Sequence, residues 1–499
     1  MVVHNRNSQP TAVEGIAAQA RSAGKWAFVA EVTGRIAQPL VLLALARILT
    51  PDDFGVVTAA TILVSLVQLF WDAGLAKALV QREATPAETL QSATVVFWSN
   101  LGLALVLYAL VFWGAVVIAA AFGDARIVAL VRVQGLAIPL QAMSSVPLAL
   151  FQRELRFRPI FLSRLGAAVA PAFVGLPLAF WGAGYWALVA GSLAAAVLQV
   201  GILFRLSDWR PDRSWSWRQV EKLARFGVWS SGEALLSWSI LWLDAIVVGT
   251  HLSSYDLGIY RTGNMAVTLA FGLTVGAIMP VLFAAFSRLQ SEQSALAGLF
   301  TKAVKGVALI AMLLTAIAVA APYDLSEIVF GPQWHAMGRV VFYLAIMHGL
   351  SWLVAPNAEL YRAMGRPDLN LKINAVCLLF YGPVFFWAAQ HGIGCFLQAR
   401  LFVAMIAFAI HVGVAWRVAR FTPKCFVQSV GWFVAAGVGA SSAGMLLHSW
   451  LDVPLFVRTG AVIACCVIVF GVFCVREWDF VFYLWKQTHQ KGTRHVCVD

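Results

Sequence analysis

The sequence predicts an all-α polytopic membrane protein of about fourteen transmembrane helices, arranged as two parallel six-helix lobes plus two C-terminal helices. Three observations predict it. Hydrophobic residues make up 61% of the 499 positions and charged residues only 12%, and mean hydropathy is +0.79, which together lie outside the range of soluble chains. The apolar residues gather in runs of about 20 or more, the length a helix needs to cross hydrocarbon with its backbone groups paired internally. Finally, one short phrase occurs twice. Leu49, Thr50, Pro51, Asp52, Asp53, Phe54 and Gly55 are answered by Leu252, Ser253, Ser254, Tyr255, Asp256, Leu257 and Gly258, at an offset of 203 that also carries Gly24 and Trp26 onto Gly227 and Trp229. Phe122 with Gly123 recurs as Phe330 with Gly331, and Arg158 with Pro159 as Arg366 with Pro367, now 208 apart, so a five-residue insertion falls inside the second copy. Each copy holds an even number of spans, so both enter the membrane the same way up, and a cavity is expected between them.

Taken in order, residues 1–25 form a polar tail with room for an interfacial helix between Thr11 and Ser22. No cleavable signal peptide is expected, because Glu31 and Arg35 interrupt the first apolar run. The N-lobe covers residues 26–206, with spans at 26–48, 54–76, 93–121, 128–150, 160–182 and 185–205. Residues 207–225 link the lobes. Trp209, Trp215 and Trp217 among arginines suit the headgroup level, which predicts an interfacial helix there. The C-lobe covers 226–416, with spans at 226–249, 258–285, 298–321, 338–360, 369–390 and 392–416. Two spans without a counterpart in the repeat follow within 429–475, at 429–449 and 456–475, and residues 476–499 form a tail.

The charges orient this ladder of helices. With a cytoplasmic N-terminus, 28 of the 36 basic residues fall on inner segments, and the C-terminus is cytoplasmic too. A net charge of +12 therefore reports topology rather than nucleic-acid binding. Seven cysteines form no C-x-x-C pair and sit in or beside apolar runs, so no metal site or disulfide framework is expected. Phosphate-loop, zinc-hydrolase and nucleophile-elbow motifs are missing, and no cofactor is implied. The pattern is that of a conduit rather than an enzyme.

Charges at membrane depth are then the candidate site residues, since each is costly in hydrocarbon unless paired or wet. Glu31 and Arg35 lie four apart on the first span, where they either neutralise each other or line the cavity. Asp244 and Arg261 flank a short outer loop at similar depth and could pair. The repeat places Val41 and Thr58 at the equivalent positions, so the charges belong to one copy only. Asp72 suits a helix terminus, Arg132, Arg339 and Arg400 are shallow enough to snorkel outward, and His348 and His411 read as packing histidines. Trp26, Trp71, Trp229, Trp238 and Trp242 could stack on sugars but are better placed facing lipid or the interface. Prolines within spans, Pro280 and Pro356 among them, are candidate kinks.

The phrase from Ala46 to Gly55, followed by Asp72, Gly74, Leu75 and the run Ala78 to Arg82, resembles the start of bacterial polysaccharide transporters. These are the lipid-linked oligosaccharide flippases of the multidrug/oligosaccharidyl-lipid/polysaccharide exporter superfamily. Asp244 with Gly249, Leu257, Gly258, Ile259 and Tyr260 resembles the start of that family's second half, and Phe330, Gly331, Pro332, Gln333 and Trp334 one of its outer loops. The resemblance implies a bacterial inner membrane location and an undecaprenyl-pyrophosphate-linked oligosaccharide as substrate. This repeat unit would be flipped to the periplasmic leaflet by alternating access for exopolysaccharide, O-antigen or capsule assembly. Membrane lipids, a polysaccharide polymerase and a co-polymerase are the implied partners, and Arg35 and Arg261 the implied cationic contacts for the pyrophosphate. The alternatives are a drug or cation antiporter of the same superfamily, a peptidoglycan precursor flippase, and a membrane polysaccharide polymerase. No outer loop exceeds about sixteen residues, which counts against the polymerase.

Overall fold

A computed structural model describes residue 26 and residues 37–71, 75–81, 85–213, 235–419 and 423–477. Glu31, Arg35 and Asp72, the linker from residue 214 onward and both tails lie outside the described residues. Among those described there is no strand, and eleven helices are long and apolar enough to cross a membrane, or twelve if one bent pair is a single span. Two shorter apolar helices, α1 (Ala37–Ala46) and α9 (Leu235–His251), overlap the first and seventh predicted spans. The chain packs as two compact units, Met1–Gly258 and Ile259–Asp499.

In the first unit α1 is followed by α2 (Pro51–Trp71), α3 (Leu75–Gln81), α4 (Pro86–Phe122), α5 (Arg126–Gln134), α6 (Ala137–Arg153), α7 (Phe157–Phe180), α8 (Tyr185–Leu206) and α9. Small residues set its closest packing, as helices in lipid require. A Cβ on Gly175 would come within 3.1 Å of the Ala187 carbonyl oxygen, and one on Gly191 within 3.1 Å of Pro171 Cα, so α7 and α8 approach almost backbone to backbone. Leu75, Leu79, Phe97, Val146, Leu150 and Trp209 close a second cluster, where α3, α4 and α6 meet. Trp209 is thus buried in the unit. Its backbone is irregular, and its ring packs against Phe97 and Phe204. Elsewhere Phe173, Trp113 and Leu379 are 74% or more exposed, as side chains facing lipid would be.

α10 (Ser254–Thr274) begins in the first unit and continues into the second. There it meets a 3₁₀ turn (Gly276–Ile278) and α11 (Met279–Arg288), at a bend of 41°. The predicted span at 258–285 is therefore broken, with Pro280 in the first turn of α11, where its missing N–H costs nothing. The second unit continues with α12 (Gln293–Ala320), α13 (Pro322–Phe330), α14 (Met337–Leu353), α15 (Ala355–Ala363), α16 (Asp368–Ala389), α17 (Ile393–Ala419), α18 (Pro423–Trp450) and α19 (Leu455–Cys474). Pro356 likewise starts α15 after a break at Val354, whereas Pro147, Pro171, Pro177 and Pro383 are absorbed within helices. α18 lies close along α12, where Gly437 would put a Cβ 3.2 Å from the Met312 carbonyl oxygen and Gly444 one 2.7 Å from Ala320 Cβ.

The repeated phrase has a physical meaning. Thr50 donates its N–H and hydroxyl to the Asp53 carboxylate at 2.9 and 2.7 Å, and Asp53 N–H returns a bond to the threonine oxygen at 3.3 Å. Ser253 and Asp256 make the same three bonds at 3.3, 2.7 and 3.1 Å. Both copies are reciprocal capping boxes that start a helix immediately after a turn. Thr50→Ala and Ser253→Ala should each cost about 1 kcal/mol and lower the thermal midpoint of the purified protein by similar amounts. Very unequal shifts would contradict their equivalence.

Candidate functional site

The turn between α1 and α2 and the start of α10 meet inside the first unit. A Cβ on Gly55 would lie 1.7 Å from the Ser254 carbonyl oxygen, and one on Gly258 would lie 1.8 Å from the Pro51 carbonyl oxygen. These four positions are related by the repeat offset of 203, so the contact is a local two-fold in which each glycine covers the other copy's first helical carbonyl. Charged groups surround it. Arg126 pairs with Asp52 at 2.6 Å and with Asp124 at 2.7 Å, while the Ser254 hydroxyl donates to Asp124 at 3.0 Å. The Arg126 hydrogen bonds hold the Asp124 carboxyl below its ordinary range against the opposing effect of burial.

From this contact α2 runs inward carrying a polar face. Gln134 Nε2 donates to Thr61 Oγ1 at 2.8 Å, and Trp238 Nε1 on α9 donates to Ser65 Oγ at 3.0 Å. Two of the tryptophans expected to face lipid are therefore inside, Trp238 on Ser65 and Trp242 buried on the same helix, while Trp26 packs against Phe161. The indole N–H accounts for Trp238, since a donor in hydrocarbon seeks an acceptor.

Of the charges singled out in the sequence, Asp244 is buried on α9, where Ala245 N–H donates to its carboxylate at 2.6 Å. Arg261 is half-buried on α10 and belongs to the second unit, whereas Asp244 belongs to the first. Arg132 donates to the Phe112 carbonyl at 3.3 Å and covers that ring. Arg400, expected to snorkel, keeps Nη1 buried and lies over the fully buried Tyr260 ring, 5.1 Å from its centre. The residue as a whole is half-buried, seven residues from the start of α17. His348 Nε2 sits 3.4 Å from Thr268 Oγ1 and packs against Phe271, a packing role as expected.

A cavity of about 620 Å³ opens at the other end of the first unit, among α4, the end of α6 and residues 207–212. Its guanidinium groups are engaged: Arg156 with Glu154 and Asp208 at 3.3 and 3.4 Å, and Arg210 with the Ser207 and Trp209 carbonyls at 2.6 and 2.7 Å. This cavity is therefore a poor receptor for a multiply charged anion. Among the described residues no group of His, Cys, Asp or Glu is arranged to hold a metal.

Residues 44–339 match the family model described as polysaccharide biosynthesis protein. The chain belongs to that family. This polysaccharide biosynthesis family member is 27% identical to the succinoglycan biosynthesis transport protein ExoT of Rhizobium meliloti (strain 1021), over 391 residues covering 77% of each chain. It is 24% identical to the teichuronic acid biosynthesis protein TuaB of Bacillus subtilis (strain 168), over 87% of this chain and 90% of that one. It is also 24% identical to the lipopolysaccharide biosynthesis protein WzxC of Escherichia coli (strain K12), over 72% and 73%. Among solved structures it resembles the lipid II flippase MurJ in an inward closed conformation, with a TM-score of 0.71 at 10% identity over 92% of this chain and 99% of that one. An inward-facing multidrug resistance MATE family transporter of the MOP superfamily matches with a TM-score of 0.60 at 13% identity, over 77% and 96%. Likeness at such identity establishes the fold alone, an all-α polytopic membrane architecture as predicted, while the described residues show eleven or twelve of the fourteen expected spans as long apolar helices.

Proposed function

We propose that this protein flips undecaprenyl-pyrophosphate-linked oligosaccharide repeat units from the cytoplasmic to the periplasmic leaflet for polysaccharide assembly. The observation that carries the reading is membership of the polysaccharide biosynthesis family together with similarity, over about three quarters of both chains, to a protein named for succinoglycan transport. The physical arrangement supports it. A polar glycan cannot cross hydrocarbon unaided, while its polyprenyl tail can stay in lipid beside the protein. Glu31, Arg35, Asp244 and Arg261 are the proposed cavity charges, with Arg35 and Arg261 meeting the pyrophosphate. The protein is a multi-pass membrane protein; in the proposed orientation it sits in the bacterial inner membrane with both termini cytoplasmic, and hands its substrate to a polymerase and co-polymerase. On this reading it catalyses no bond-making or bond-breaking step.

The test is the sidedness of polyprenyl-linked oligosaccharide in a strain lacking the protein, read with an impermeant glycosidase on right-side-out and inverted vesicles. Accumulation on the cytoplasmic leaflet, reversed by the plasmid-borne protein, is the expected result. Accumulation on the periplasmic leaflet, or none, overturns the proposal.

A further inference from the structure

The charges account for the pyrophosphate but leave the sugars without a partner, and the polar face of α2 offers one. Thr58, Thr61, Ser65 and Gln68 follow one another at intervals of three, four and three residues, which places them on one face of the helix. All four are half-buried. Their rise is about 15 Å, about half of the hydrocarbon thickness. Each hydroxyl spends its proton inward: Thr58 on the Phe54 carbonyl at 2.7 Å, Thr61 on Val57 at 2.8 Å, and Ser65 on Ile62 at 2.9 Å. What the hydroxyls present outward is therefore oxygen lone pairs alone, a neutral row of acceptors.

Two of these acceptors are filled by N–H donors from other helices, Gln134 on Thr61 and Trp238 on Ser65. Gln134 is 8% exposed, and its Oε1 has no hydrogen-bond partner among the described residues. An acceptor so deeply buried is costly to leave unpaired, and the amide's bond to Thr61 holds it on this same face. The matching ligand must be neutral and rich in donors. A phosphate, which brings only acceptors and negative charge, finds no donor among the three hydroxyls, whereas sugar hydroxyls satisfy them, can donate to Gln134 Oε1 and can accept from the Gln68 amide.

We propose that Thr58, Thr61, Ser65 and Gln68, with Gln134, form a hydrogen-bond ladder for the glycan hydroxyls of the substrate. The inference rests on the flippase reading and adds the surface that contacts the sugars. Gln134 and Trp238 occupy Thr61 and Ser65 in this conformation, and both give way when the glycan enters. The ladder acts on the sugars and not on the lipid phosphate.

The test reconstitutes the full chain in proteoliposomes with two lipids, a polyprenyl-pyrophosphate oligosaccharide and the same polyprenyl pyrophosphate bearing one sugar. The triple variant Thr58→Val, Thr61→Val, Ser65→Ala keeps side-chain shape and removes three acceptors. We expect it to slow the oligosaccharide by about tenfold while leaving the single-sugar lipid near the wild-type rate; the thermal midpoint falls modestly, because Gln134 and Trp238 lose their acceptors, and the difference between the two lipids is what reads the ladder. Thr250→Val, which removes a hydroxyl bonded within α9, away from this face, should match wild type. Equal slowing of both lipids assigns the row to helix packing and overturns the ladder alone. Wild-type rates in the triple variant overturn it as well. A wild-type protein that moves neither lipid overturns the flippase reading, and the ladder with it.

Discussion

Gly258→Ala is expected to abolish transport, and Gly55→Ala to do the same. In each case the added methyl meets a backbone carbonyl, at 1.8 Å from Pro51 O and at 1.7 Å from Ser254 O respectively. A backbone obstacle cannot rotate away as a side chain can. Pro51 and Ser254 each open a helix whose capping box fixes the turn, so relief requires the two helix starts to separate. Overpacking of this kind costs about 3 kcal/mol at the upper end of its usual range, which shifts a conformational population by about 100-fold. On the flippase reading proposed above, transport passes through a state that holds this contact, and a chain that cannot form it is held in another. Gly249→Ala provides the contrast. Its methyl would meet the Phe122 ring at 2.4 Å, an end that can swing, so a much smaller loss is expected. Flipping rates of the three variants in proteoliposomes decide the matter. Near-wild-type rates for Gly55→Ala or Gly258→Ala would show that the contact is not made during transport.

The same glycines show what a sequence conveys and what it withholds. The repeat offset revealed that Gly55 and Gly258 are equivalent, because a capped turn requires the same residue types wherever it recurs. Equivalence is not proximity, however, and nothing in the spacing says that the two turns touch. Span positions were legible because hydropathy is a property of composition along the chain. The breaks at Gly276 and Val354 were not, since apolar residues continue through both; Pro280 and Pro356 marked them, but four other prolines lie inside intact helices. In the candidate site, a search for charge found Asp244 and Arg261 and passed over Thr58, Thr61 and Ser65. Hydroxyls that bond their own helix carbonyls add little to the polarity of a span, and it takes Gln134 and Trp238, brought in from other helices, to show that this face is used. Asp324 was passed over for a related reason, because its partners lie more than a hundred residues away.

Asp324→Ala is expected to be among the most destabilising single changes in the second unit. The carboxylate, on α13 and 5% exposed, receives Arg458 Nε and Nη2 at 2.8 Å each and the Thr459 hydroxyl at 3.2 Å, and His448 Nε2 lies 3.2 Å from it. One buried group thereby ties the ends of α18 and α19 to the body, which the repeat alone would leave as an appendage. Removing one partner of such a pair leaves the rest uncompensated and costs about 3 to 5 kcal/mol; Arg458 and His448 are partly exposed, at 27% and 31%, which favours the lower figure. The effect should depend on pH in one direction. Burial raises the Asp324 pKa, but the hydrogen bonds from Arg458 together with the neighbouring His448 outweigh it, and the group titrates below its ordinary value. A carboxylate with a depressed folded pKa contributes stability that is fully present above the unfolded value of about 3.9, and this is lost as pH falls through the folded value. Glu327 and Asp452, the other carboxylates near Arg458, act on the arginine and not on this sign. Thermal midpoints of wild type and Asp324→Asn should therefore differ clearly at about pH 5 and draw together as pH falls below about 4. A gap that persists undiminished at pH 3 would mean that the carboxylate's charge is not what holds α18 and α19 in place.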